Sequence, residues 1–414
     1  MGAAQEISTD LLTISRFPPS RYHASEDQTF QNSPLPAFCS GAIRKVELYV
    51  GSAYATDNSM IERLPLETQT LYAEFLAQLL SATSTQSIGQ APGCFTTKTV
   101  KGDPYLYFQY SDPGGQSRQA YVGKKTPALD RIVQQFQRER PNVKADLAHL
   151  QRLCAQLRIG GAAPSGQAPA RVLKAFADAG LFQLGGVLVG THAFAVIGNL
   201  LGVRWRGAHL KTQDIDSAGD SGLNIALPDL HTDVPKILES LQMGFLPVPP
   251  LNRKHPSTSF KVRGTALQVD FVTPAKRPRD EKPVLIKRFN VAAQPLPYLG
   301  YLLEQAQVAG IVNGDGILAN VPNPARYAFH KILVARSRSV TDHTKIEKDL
   351  QQAAQLIDVL AEDRPGDLAL AWEALEHRHD GSACTLRSAM TSFSKRFQDT
   401  SAALLSAVPS LQSE

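Results

Sequence analysis

The spacing of hydrophobic positions changes character along this chain, and each change predicts a different element. Residues 1–38 are rich in Ser, Pro, Thr and Gln with no apolar period, so they are expected to be poorly ordered. From Leu66 to Leu80, Leu71, Phe75, Leu76, Leu79 and Leu80 mark one face of a helix. Alternation then takes over. Cys94–Lys101, Tyr105–Ser111 and Gln116–Val122 read as three strands, broken at Gly102-Asp103-Pro104 and Pro113-Gly114-Gly115, which predicts a meander. Pro127 to Leu157 is helical, with Pro141 expected to divide it in two. The Gly-, Ala- and Pro-rich run from Gly160 to Pro169 reads as a linker.

Beyond that run the pattern alternates between helix and strand. Arg171–Ala179 reads as a helix, Leu184–Val189 as a buried strand and Thr191–Leu201 as a helix; Asp214–Asp216, Leu223–Leu227 and Ala266–Val272 read as strands. Four helices follow, over Pro324–Ser337, Thr344–Ala361, Asp367–Glu376 and Thr385–Ala407. In the second, Ile346, Leu350, Ala353, Ile357 and Leu360 form a packing stripe, while Lys345, Lys348 and Asp349 read as surface pairs. The expected class is α+β. The expected division is 1–38 as a poorly ordered N-terminus, 39–157 as a separate helix-plus-meander domain, and 158–169 as linker. A mixed-sheet core over 170–295 and a helical C-terminal domain over 296–414 complete it.

Composition narrows the class. The chain has 414 residues, enough for two or three domains at roughly 150 residues each. Its net charge of +5 is mild, so any affinity for nucleic acid must come from a local patch. Cys39, Cys94, Cys154 and Cys384 lie far apart, which argues against a zinc ribbon or a disulfide scaffold. Gly185–Val203 is apolar over about the length of a bilayer crossing. It contains five glycines, His192 and Asn199, and so reads as a strand, a tight turn and a buried helix. With no basic start and apolar core at the N-terminus, the expectation is a soluble, cytoplasmic protein without membrane contact.

Three features after the linker suggest chemistry: Gly190-Thr191 at a strand-to-helix junction, Thr212-Gln-Asp-Ile-Asp216, and Gln268-Val-Asp-Phe-Val272. On a strand, Asp214 and Asp216 would project from one face roughly 6.5–7 Å apart. Carboxylates held that close repel unless a cation lies between them. Mg2+ or Mn2+ takes such hard oxygen ligands. Asp270, on a neighbouring strand, would complete a two-ion site suited to in-line displacement at phosphorus. A helix beginning at Thr191 directs free N–H groups and its positive dipole end at a phosphate. Gly190 would let the backbone approach closely.

In these residues the chain resembles the DNA-polymerase-β-type nucleotidyltransferase superfamily. Thr-Gln-Asp-Ile-Asp216 and Val-Asp-Phe-Val-Thr-Pro274 are similar to bacterial nucleotidyltransferase-like proteins and, more distantly, to the nucleotidyltransferases of toxin–antitoxin pairs. Pro324-x-x-Tyr-x-x-His-Lys331 and Lys345-x-x-Lys-Asp349 resemble that group's helical part. The resemblance spans roughly 170–360. It implies metal binding by Asp214, Asp216 and Asp270, phosphate binding by Gly190 and Thr191, and a basic residue near the triphosphate in Lys331. It also implies an NTP such as ATP as donor, with an RNA (tRNA included) or a protein as acceptor. Two other readings stay open: a catalytically silent nucleic-acid-binding module on this scaffold, and a nucleotide-sugar glycosyltransferase. A phosphatase of the haloacid-dehalogenase type needs an apolar strand before Asp214, where Lys211-Thr-Gln213 stands.

Two surfaces are candidates for the acceptor. Arg253–Arg288 holds ten Lys or Arg against three acids, a basic rim or a solvated loop. The meander carries Phe95, Tyr105, Tyr107, Tyr110 and Tyr121 among Lys98, Lys101, Arg118, Lys124 and Lys125. Those rings either stack on bases or form the core of a small sheet.

Overall fold

In the computed structural model, residues 60–84, 93–111, 117–206, 222–226, 233–249, 256–276, 282–286 and 289–412 are described. Strand β1 (Ile61–Arg63) leads into α1 (Leu66–Ser84). The meander β2 (Cys94–Val100), β3 (Asp103–Ser111) and β4 (Ser117–Lys124) follows, then the long α2 (Pro127–Ile159). Next come α3 (Gln167–Asp178), β5 (Val187–Val189), α4 (Gly190–Leu200), β6 (Val203–Trp205), β7 (Gly222–Ala226) and α5 (Val234–Ser240). Strands β8 (Phe245–Pro247), β9 (Ser259–Val262), β10 (Gln268–Pro274), β11 (Val284–Ile286) and β12 (Val291–Leu296) precede the short α6 (Leu299–Leu303). A hairpin of β13 (Gln307–Ile311) and β14 (Ile317–Val321) leads to α7 (Pro324–Ser337), α8 (His343–Asp363), α9 (Pro365–Glu376), α10 (Ser382–Arg396) and α11 (Gln398–Ala407). The class is α+β.

The main sheet runs β11-β12-β10-β7-β5, with β9 also on β10 and β8 beyond it. β10 is its hub. One edge pairs in parallel with β7 over Gln268–Val272, while the other pairs antiparallel with β9 over Gln268–Asp270 and parallel with β12 from Val272 onward. A strand flanked on both sides must be apolar where it meets the core, and Val269, Phe271 and Val272 are buried there. A continuous apolar cluster extends from this sheet through α3 and α4 into the C-terminal helices.

The membrane-length apolar run resolves into β5, a turn at Gly190 and the eleven-residue α4. Among the described residues no helix is long and apolar enough to cross a membrane. Buried Asn199 is accounted for by two bonds to one residue: its Oδ1 accepts from Ala163 N and its Nδ2 donates to Ala163 O, each at 2.8 Å. Asn313 and Asn320 act alike, donating to Ser165 O and to the carbonyls of Phe182 and Gly186. Gly198 lies so close under Trp205 that a Cβ there would fall 2.6 Å from the indole nitrogen.

Residues 60–84 join the later chain through β1, antiparallel to β6, and through Tyr72, whose hydroxyl donates to Gly310 O and accepts from Gly310 N.

Several elements differ from expectation. α2 is continuous across Pro141. The carbonyl freed there belongs to exposed Gln137, where water can satisfy it. The expected helix over Thr385–Ala407 breaks at Phe397 into α10 and α11, and the Phe397 ring packs on Phe393 at 5.1 Å. Leu80 is exposed rather than in the core. Asp349, read as a surface residue, is buried, because α8 packs that face against α7 and brings it cationic partners. The strand expected at Asp214–Asp216 lies outside the described residues.

Replacing Asn199 by Ala would leave the Ala163 N–H and C=O without their partners. The expected cost is about 2 kcal/mol. It should be read as a lower urea midpoint at unchanged slope.

Candidate active site

β5 ends at Val189, and the chain reverses into α4 through Gly190, which has φ +74°. Side chains other than glycine are strained in that region, which accounts for the residue chosen here. The cap position is Val189, with no side-chain acceptor for the first-turn amides, and the following Thr191 is buried.

Across the sheet, Val189 is the register partner of Asn224 on β7, Asn224 of Asp270 on β10, and Asp270 of Ser259 on β9. At about 4.8 Å between strands, Asp270 lies two strands, or about 10 Å, from the end of β5. The strand directions make this juxtaposition more informative. β5 is antiparallel to β7, and β7 is parallel to β10. The outgoing end of β5 and the incoming ends of β7 and β10 therefore share one edge of the sheet. Gly190-Thr191 and Asp270 are thus brought to the same end.

Asp270 is half-buried, and its Oδ1 accepts bonds from Gln268 Nε2 at 2.7 Å and from Ser259 Oγ. Ser259 is itself set by Ser257, whose hydroxyl accepts from its amide and donates to its carbonyl. Both donors to Asp270 are neutral. They fix the carboxylate's direction and, among the described residues, bring no cation to it. A carboxylate so held fits a hard divalent ion. Ser259 gives no sign of this role in the sequence, since it sits outside every motif and only the β9–β10 pairing brings it to Asp270.

Asp214 and Asp216 lie outside the described residues, as do Arg253, Lys254, Arg277, Arg279, Lys287 and Arg288 of the basic segment. Among the described residues no group of three His, Cys, Asp or Glu is placed to hold a metal.

Lys331 sits on α7 behind the junction. Its ammonium bonds Asp349 Oδ1 at 2.7 Å and lies 5.2 Å from the centre of the Tyr327 ring, while Arg338 Nε bonds Asp349 Oδ2 at 2.8 Å. Burial alone would lower the lysine's pKa. The Tyr327 oxygen and the Asp349 carboxylate more than reverse this, so Lys331 stays charged. Burial likewise opposes ionisation of Asp349, yet Lys331 and Arg338 hold its pKa below the usual carboxylate range. The Tyr327 hydroxyl donates to Gly190 O at 2.8 Å, and its ring stacks on Phe194, which stacks in turn on Trp205. The sequence motif contained Tyr327 without disclosing this contact with the junction.

A family model described as nucleotidyltransferase matches residues 167–376, half of the chain. The chain belongs to the nucleotidyltransferase family. A solved structure, that of an antigenic nucleotidyltransferase-like protein from Paracoccidioides brasiliensis, is similar at 14% identity and a TM-score of 0.30, covering 59% of this chain and 96% of that one. No curated protein matches the sequence. The family match spans the Gly190 junction, β10 with Asp270, and the Lys331–Asp349 pair. As a nucleotidyltransferase, the protein uses a nucleoside triphosphate as donor.

Two outcomes follow. Lys331→Met would leave Asp349 buried with half its cationic partners, at an expected cost of about 3 kcal/mol in urea unfolding at pH 7. The second concerns His330, buried beside Lys331, with neither ring nitrogen hydrogen-bonded among the described residues. Burial, reinforced by Lys331 and Arg338 and opposed by Asp349, lowers its pKa to about 3. The unfolded chain therefore binds the proton first, and stability is lost as pH falls from about 6.5 towards 3, at up to about 1.4 kcal/mol per pH unit. Between pH 6.5 and 5, above the range in which Asp349 titrates, His330→Leu should unfold with a visibly flatter pH dependence than the wild type.

Proposed function

We propose that this nucleotidyltransferase moves a nucleoside monophosphate from an NTP to an acceptor hydroxyl, either an RNA 3′ end, tRNA included, or a protein side chain. The acceptor oxygen attacks the α-phosphorus, and its proton passes to solvent water. The bond from the α-phosphorus to the bridging oxygen breaks, and pyrophosphate departs. Gly190 and Thr191 hold the β- and γ-phosphates at the start of α4. Asp214, Asp216 and Asp270 would hold two divalent ions, Mg2+ or Mn2+. Such ions would lower the pKa of the acceptor hydroxyl and neutralise charge developing on the phosphates. Lys331, fixed by Asp349, supplies positive charge behind the junction, near the triphosphate. Residues 170–295 would carry the core and 296–414 its helical support, with 39–157 joined to them through 158–169.

The observation that carries this reading is the register from Val189 through Asn224 to Asp270. β7, the strand between junction and carboxylate, begins at Gly222, six residues after Asp216, and it begins at the shared edge.

Incubation with each labelled NTP, Mg2+ and total RNA or protein should label one acceptor class. Asp270→Asn is expected to lower labelling by about a hundredfold or more. Full labelling by Asp214→Ala or Asp216→Ala would overturn the assignment. Metal-dependent binding of a non-hydrolysable NTP with no labelling of any acceptor would instead favour a silent binding module.

A further inference from the structure

The meander has two faces, and among the described residues one of them packs against α2. On the inner face, Phe95 and Phe108 pack edge-on against Phe136 of α2, at 5.2 and 6.0 Å between ring centres, and Leu106 is buried beside them. The strand alternation turns Thr96, Lys98, Tyr105, Tyr107, Gln109, Gln119 and Tyr121 the other way. On that outer face, Tyr107 pairs in register with Tyr121, and Tyr105 with both Lys98 and Lys124. Tyr121 lies 5.6 Å from Tyr107 and 6.1 Å from Tyr105, and it is 60% exposed. The Lys98 ammonium sits 5.0 Å from the centre of the Tyr107 ring and bonds Gln119. Exposed Lys101, Lys124 and Lys125 border the same sheet, against Asp103, which pairs with Lys124, and Asp130, which pairs with Lys125.

Three neighbouring tyrosines with an exposed rim of lysines are chemically specific. A folded duplex hides its base faces. Unpaired bases offer flat π-surfaces to the rings, and their phosphates complement the lysines.

We propose that the outer face of β2–β3–β4 binds single-stranded nucleic acid, with Tyr105, Tyr107 and Tyr121 stacking on bases and Lys98 and Lys124 meeting phosphates. Calling the bound strand the acceptor rests on the reading of the active site above; the binding itself does not.

The test is fluorescence anisotropy of the full-length protein with a labelled twelve-nucleotide RNA and the DNA of the same sequence, without NTP or metal. Competitors are the unlabelled strand, its duplex and a poly-glutamate peptide. The single strands are expected to bind, and duplex and peptide to compete at least about tenfold less well. Tyr107→Ala and Tyr121→Ala should each weaken binding about fivefold or more, with thermal melting of the exposed Tyr121→Ala unchanged. Tyr121→Phe should bind within about twofold of wild type. Lys98→Ala should make the salt dependence shallower by about 0.7 in log–log slope. Tighter RNA than DNA binding would name RNA as the ligand, and equal binding a strand without sugar discrimination. Absence of binding, equal competition by duplex or peptide, or undiminished binding by both alanine variants would overturn the proposal. Metal-dependent NTP binding by the same proteins separates the two readings. Tyr121→Ala should leave it intact and Asp270→Asn should lose it, so a strand-binding defect beside an unaffected Asp270→Asn would sink the active-site reading alone.

Discussion

The hydrogen bond from Tyr327 to the Gly190 carbonyl ties the helical half of this nucleotidyltransferase to the junction where a triphosphate would lie. Gly190 can turn the chain at positive φ but has no side chain with which to hold the turn. The hydroxyl of a fully enclosed tyrosine supplies that constraint from α7. Tyr327 is steadied by stacking on Phe194 and by the ammonium of Lys331, and Lys331 by Asp349 on α8. Local geometry at the junction thus depends on packing between helices more than a hundred residues later in the chain.

The charged cluster illustrates how burial and function interlock. Lys331 and Asp349 are each costly to bury alone, and they persist because each satisfies the other, with Arg338 as a third member. Among the described residues, the donors that orient Asp270 are neutral, Gln268 and Ser259. Among the described residues, the Lys331–Asp349 cluster thus has its charges paired internally, while the bonds to Asp270 bring it no cation.

The meander gives a parallel case of one face made solid so that the other is released. Phe136 of α2 fills the space beneath β2 and β3. The tyrosines above are then not required for the core, although in the sequence both sets follow the same alternation.

Much was legible in the one-dimensional pattern. Gly190-Thr191 at a strand-to-helix boundary, the carboxylate between Val269 and Phe271, the three-stranded meander and the span of α7 all follow from short-range rules, because glycine conformation, side-chain alternation and helix capping are local properties. What failed locally failed for a tertiary reason. α2 crosses Pro141 where exposure lets water replace the missing bond, and Asp349 is drawn inward by cations from another helix. Ser259 reaches Asp270 only because β9 pairs with β10, and whether the tyrosines or the phenylalanines face outward was decided by which side α2 covers. The amino-acid order determined the elements and the chemistry available; strand register and helix packing, which depend on contacts between residues far apart in the chain, decided which groups meet.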